Sequence, residues 1–83
     1  MSYFSTKERE VYKHCLYRHF KGNLYYVISE AWHSENMEEM VVYHALYGEN
    51  YMWVRPKKEF LSEVEEGKEN PTGQKYRFEV FQD

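Results

Sequence analysis

Three consecutive side chains, His33, Ser34 and Glu35, bring a base, a hydroxyl and a carboxylate into one short run. These are the residue types of a nucleophilic triad, in which the base lies within hydrogen-bond reach of the hydroxyl and a third group orients the base. The spacing argues against that chemistry. Neighbouring residues on a strand point to opposite faces, so His33 and Ser34 can activate one another only where a turn bends them together. The plainer expectation is a hairpin in which His33 ends a strand while Ser34 and Asn36 bond to turn backbone, as short polar side chains do. A ligand or partner contact is the second expectation for His33, and a small enzyme using His33 is the third.

Metal chemistry has weaker support. The chain has four histidines, His14, His19, His33 and His44, and one cysteine, Cys15, but no pair at the spacings that build structural zinc sites. The expectation is no metal and no cofactor, with a site assembled in three dimensions from His19 and His33 as the arrangement left open. The carboxylates Glu38, Glu39, Glu63, Glu65 and Glu66 fall in stretches that read as turn and strand exterior, so they are read as a solvated face rather than an acid–base pair.

Aromatic surplus carries more information. Tyr17, Phe20, Tyr25, Tyr26, Trp32, Tyr43, Tyr47, Tyr51, Trp53 and Phe60 exceed what the interior of a small barrel holds. Some must face outward, where Tyr and Trp serve recognition surfaces because they offer large area with little entropy to lose. Basic clusters flank them: Arg18, His19 and Lys21 on one side, and Arg55, Lys57 and Lys58 on the other. Aromatics and positive charge therefore share a groove, or else Arg55 packs its stem and pairs with a local glutamate.

Elements short enough to position these groups follow from length and pattern. Eighty-three residues make one domain, because a chain of this size hides only about 60% of its unfolded surface. From Cys15 onward, short runs of Val, Ile, Tyr, Phe and Trp alternate with turn residues, as in an all-β domain. The strands are expected at 15–20, 24–33, 40–47, 51–54 and 75–81. Pro56 suits the first residue of a helical turn, with Phe60 and Leu61 spaced to plug a barrel end. Ser5 and Glu8 have the spacing of a helix-capping pair, which predicts a short helix from Thr6 to about His14. The division is thus a helical extension over 1–14 and a small β-barrel domain over 15–83.

Five antiparallel strands favour a small SH3-like barrel, which removes exposed edges. The helical turn between the fourth and fifth strands supports that choice. An OB-type barrel wants its helix between the third and fourth strands, where only Gly48, Glu49 and Asn50 lie.

The successive motifs YRHFKG (17–22), LYYV (24–27), AWHSE (31–35), VVYHALYGE (41–49) and WVRP (53–56), closed by Phe60, resemble the bacterial family called domain of unknown function 1653. The resemblance spans about residues 16–66. It implies a small bacterial SH3-like barrel of uncharacterised role and supplies no catalytic residues. The family pattern carries arginine where this chain has Trp32 and His44. A second likeness, of ALYGE (45–49) to the motif that opens signalling SH3 domains, falls in the third strand and is read as coincidence.

Charge and composition narrow the function classes. The formal net charge is −3, with 11 Lys and Arg against 14 Asp and Glu, whereas general nucleic-acid binders carry a basic excess. One cysteine makes no internal disulfide and suits a reducing compartment. No run approaches the roughly 20 apolar residues of a membrane span. The expectation is a cytoplasmic, non-catalytic binding module, monomer or weak dimer, with an aromatic and basic groove near Tyr17, His19, His33, Tyr43, Trp53 and Arg55. It would receive a protein segment or a small anionic ligand. The alternative is single-stranded nucleic-acid or nucleotide binding on exposed aromatics.

Overall fold

The computed structural model describes residues 10–82. Five strands, β1 (Leu16–His19), β2 (Leu24–Trp32), β3 (Glu39–Ala45), β4 (Met52–Pro56) and β5 (Phe78–Val80), and one helical turn, α1 (Lys57–Phe60), follow in that order. They form a single antiparallel sheet in the order β4-β3-β2-β1-β5. No helix among the described residues is long and apolar enough to cross a membrane.

The inner face of the sheet follows from period-two alternation. Tyr17 on β1, Val27 on β2, Val41 and Tyr43 on β3 and Phe78 on β5 are all buried, and Phe60 of α1 joins them. Phe60 stacks flat on Phe78 at 4.2 Å and meets Tyr17 and Tyr43 edge-on at 5.2 and 5.3 Å. Such ring pairs add about 0.5–1.5 kcal/mol each beyond the area they bury. Phe60 therefore covers the inner face of the sheet, while Leu61 stays half-buried.

A bulge in β2 explains why both faces of that strand carry large apolar groups. Val27 pairs with Tyr43 and Ser29 with Val42, so Ile28 is an extra residue. An extra residue exchanges the two faces of everything beyond it. Before the bulge Tyr25 and Val27 face inward; after it Glu30, opposite buried Val41, takes the inner side. Lys57 at the start of α1 meets that carboxylate at 3.4 Å, and Glu39 at 3.9 Å.

Three expectations need correction. The sheet is open, because no hydrogen bonds join β4 to β5. The last strand covers three residues instead of seven, since the Glu79 carboxylate accepts the N–H groups of Lys75 and Tyr76 that a longer ladder would use. The N-terminal helix from Thr6 to His14 falls largely outside the described residues, and residues 10–14 contain no helix. There the sheet takes the backbone donors: the His14 N–H reaches the Val27 carbonyl at 2.7 Å and the Tyr12 N–H the Tyr17 hydroxyl at 2.9 Å.

The polar loop before β5 is tied down through its own side chains. Gln74, buried, accepts the Arg18 Nε–H at 2.7 Å and donates to the carbonyls of Arg18 and Tyr76. Thr72 donates to the Phe20 carbonyl at 3.0 Å. These bonds keep the loop against β1 without an apolar core of its own.

Candidate functional site

Alternation along β3 continues past Ala45 to Tyr47, and alternation along β2 runs back from Val27 to Tyr25, so both tyrosines reach the inner face at the same end of the sheet. Tyr25 sits opposite Ala45, and its hydroxyl meets that of Tyr47 at 2.7 Å. β4 adds Trp53 opposite Tyr43 and Arg55 opposite Val41. Together with His19, Val54 and Phe78 these residues enclose a hollow of about 220 Å³. Among the described residues its lining contains no carboxylate.

His19 is strongly perturbed here. Burial first, then the positive charges of Arg55, Arg77 and Lys21, hold its pKa down to about 4. The imidazole is therefore neutral at physiological pH. Its Nδ1 accepts the Lys21 N–H at 3.1 Å, which leaves the ring proton on Nε2 as a donor. Phe20 and Phe78 hold the ring with centroids at 4.5 and 4.9 Å.

Arg55 supplies the positive charge. Its Nε–H donates to the Tyr43 hydroxyl at 3.1 Å, Nη1 pairs with Glu59 at 3.5 Å, and the guanidinium lies 5.8 Å from the Phe78 ring centre. A guanidinium carries five N–H donors, so donors remain for a ligand beyond these contacts. Burial, reinforced by the hydrogen bond to Tyr47, pushes the Tyr25 phenol well above its ordinary value. Because Tyr25 and Tyr47 share one hydrogen bond, one hydroxyl proton of the pair is left to donate elsewhere. The hollow thus combines a fixed cation, neutral donors and aromatic walls, which suits an anionic group carried on a small apolar body.

The structure brings together four of the six residues singled out from sequence: His19, Tyr43, Trp53 and Arg55. Tyr17 lies in the core at 1% exposure, outside the lining. His33 sits at the far end of β2, eight residues beyond Tyr25, roughly 25 Å away at the rise of an extended strand. There it begins a hairpin: its N–H donates to the Glu38 carbonyl, its own carbonyl accepts the Met37 N–H, and its Nδ1 accepts the Glu35 N–H at 3.2 Å. Asn36 accepts the Glu38 N–H at 2.9 Å, and Ser34 is exposed. The separation leaves no joint His19–His33 site, and no three His, Cys, Asp or Glu side chains among the described residues gather as metal ligands.

Of the two basic clusters, only His19 and Arg55 line the hollow. Arg18 turns to Gln74, and Lys57 to Glu30 and Glu39. Tyr25, Tyr47, Val54 and Phe78 were not among the six, although the inner-face alternation 41, 43, 45, 47 and 25, 27 marks the two tyrosines.

A family model described as Protein of unknown function (DUF1653) matches residues 15–80. The matched span contains all five strands, α1 and every residue lining the hollow. No curated protein and no solved structure matches the chain.

Proposed function

The chain belongs to the DUF1653 family, and we propose that it works as a non-catalytic binding module whose hollow between β1, β2, β3 and β4 receives an anionic group. The observation that carries this reading is a lining with Arg55, His19 and three tyrosines and, among the described residues, no carboxylate. At about 220 Å³ the hollow is smaller than the roughly 300–1,000 Å³ pockets that enclose drug-sized ligands. It suits one ring or one acidic side chain at a time. Arg55 supplies the charge, His19 and the Tyr25–Tyr47 pair the neutral donors, and Trp53 a stacking wall. The strand order and the helical turn between β4 and β5 support an opened SH3-like barrel as the scaffold, but fold carries no function of its own.

Nucleotide or single-strand binding is the second reading, and half-exposed Trp53 is the feature that favours it. One titration separates the two. Labelled protein is followed by amide NMR with benzoate, adenosine monophosphate and a short oligothymidine as probes. Anion recognition in the hollow predicts shifts at His19, the Trp53 indole and the Arg55 Nε–H, with benzoate binding weakened by about tenfold or more in Arg55→Gln, the loss of a charge-assisted hydrogen bond. Binding of the oligonucleotide alone, falling steeply with salt, would replace the first reading with the second. Shifts confined to residues 33–38 would overturn both.

A further inference from the structure

The hollow is bounded on one side by a sheet edge that nothing among the described residues covers. β4 ends the strand order, with β3 as its one neighbour in the sheet. Natural edge strands are usually blunted by lysine, proline, a bulge or an inward charge. Here Met52, Trp53 and Val54 are apolar and exposed at 65%, 48% and 61%, and the inward charge of Arg55 and the ring of Pro56 come only at the end of the strand.

Backbone phase identifies the groups this edge offers. The Ala45 N–H donates to the Tyr51 carbonyl, and antiparallel partners alternate between bonded and non-bonded pairs. Trp53 and Arg55 therefore aim their backbone at β3, whereas Met52 and Val54 aim N–H and C=O away from the sheet. The side chains of Trp53 and Arg55 lie on the inner face with the hollow, and those of Met52 and Val54 on the outer face.

We propose that β4 captures an extended acidic peptide by strand addition, the peptide pairing with Met52 and Val54 and placing one Asp or Glu side chain in the hollow beside Trp53 and Arg55. This rests on the anion reading of the hollow. Strands pair about 4.8 Å apart, so the peptide residue opposite Trp53 projects its side chain on the inner face. The residues on either side of it project outward against Met52 and Val54. The recognised pattern is therefore apolar, acidic, apolar in extended conformation. Main-chain bonds supply affinity and the hollow supplies selection, as in other edge-recognition systems. Charge complementarity selects the acidic residue: among the described residues the lining has a cation and no carboxylate, Arg55 keeps N–H donors beyond those given to Tyr43 and Glu59, and exposed Lys58 lies just beyond the strand.

The test uses a blocked hexapeptide, acetyl-Ser-Val-Glu-Val-Ser-Gly-amide, its Glu-to-Gln counterpart, and benzoate as a hollow-only probe. Amide hydrogen exchange is read residue by residue. Slowing at Met52 and Val54 with the glutamate peptide supports the proposal, as does binding weakened by about tenfold with the glutamine peptide, the worth of one charge-assisted hydrogen bond. Met52→Pro removes an outward N–H at a residue outside the lining and should abolish peptide binding while benzoate still binds. Benzoate binding without peptide protection overturns strand addition and leaves the anion site standing; failure of both probes removes both. Protection of Met52 and Val54 that rises with protein concentration alone overturns the peptide in favour of a second copy.

Discussion

His19 and His33 begin from the same local chemistry and end in different roles. Each imidazole accepts, through Nδ1, the N–H of the residue two further along, Lys21 at 3.1 Å and Glu35 at 3.2 Å. His33 does so on an exposed hairpin, where the bond shapes a turn. His19 does so among Phe20, Phe78 and three basic side chains, where burial and charge keep it neutral. A motif that looks chemical in sequence thus shapes a turn where the sheet runs out into solvent. A histidine with no motif around it becomes the perturbed group because the fold surrounds it.

The sharpest way to break this contrast is to load each end of β2 in turn. Val27, fully buried at the hollow end, should not tolerate Asp: an unpaired buried charge costs about 4 kcal/mol or more in a domain of this size. Trp32→Ala, at a residue 60% exposed at the hairpin end, should change stability by no more than about 0.5 kcal/mol. Urea melts compare the two. A cooperative, unshifted melt for Val27→Asp would mean that the inner and outer faces have been exchanged.

A smaller effect should appear with pH. The unfolded chain takes up a proton on His19 near 6.5, the folded chain only near 4. Between those values the unfolded state binds more protons, so stability is fully present above about pH 6.5 and declines as pH falls towards 4. Water reaches part of the ring, which reduces the expected loss to the order of 1–2 kcal/mol. Thermal melts over this window should lose much of their slope in His19→Gln and keep it in His33→Gln. Equal slopes in the two variants would remove the distinction between the histidines.

The smallest effect tests the hairpin as a hairpin. Met37 holds φ at 60° and is exposed, a left-handed conformation that costs a side chain about 1 kcal/mol and glycine almost nothing. Met37→Gly should therefore stabilise the domain by a few tenths to about 1 kcal/mol, read as a raised denaturation midpoint. A drop would show that the Met37 side chain makes contacts that outweigh the strain.

Much of the scaffold was legible from residue patterns. Runs of β-branched and aromatic residues between turn signals located five strands, and Pro56 with Phe60 marked the helical turn. Boundaries were less legible where side chains compete with the ladder, as Glu79 does by taking the N–H groups of Lys75 and Tyr76. In the candidate site, Trp53 and Arg55 could be paired from sequence because they alternate on one strand. Tyr17 shares a strand face with His19 but is covered by Phe60, and coverage depends on an element 43 positions away.

Composition and periodicity by themselves determined that this chain is mainly β, that Phe60 returns to its core, and that its aromatics exceed its interior. Those properties depend on local alternation and on volume, which any reader of the chain can count. Tertiary structure alone decided which face of β2 is inner, because the bulge at Ile28 reverses the phase partway along. It also decided that His19 rather than His33 lines the hollow with Arg55, and that β4 ends the sheet beside the hollow with its edge uncovered by any described residue. Each of these turns on register, the pairing of residues distant in sequence, and register is a property of two strands together rather than of either alone.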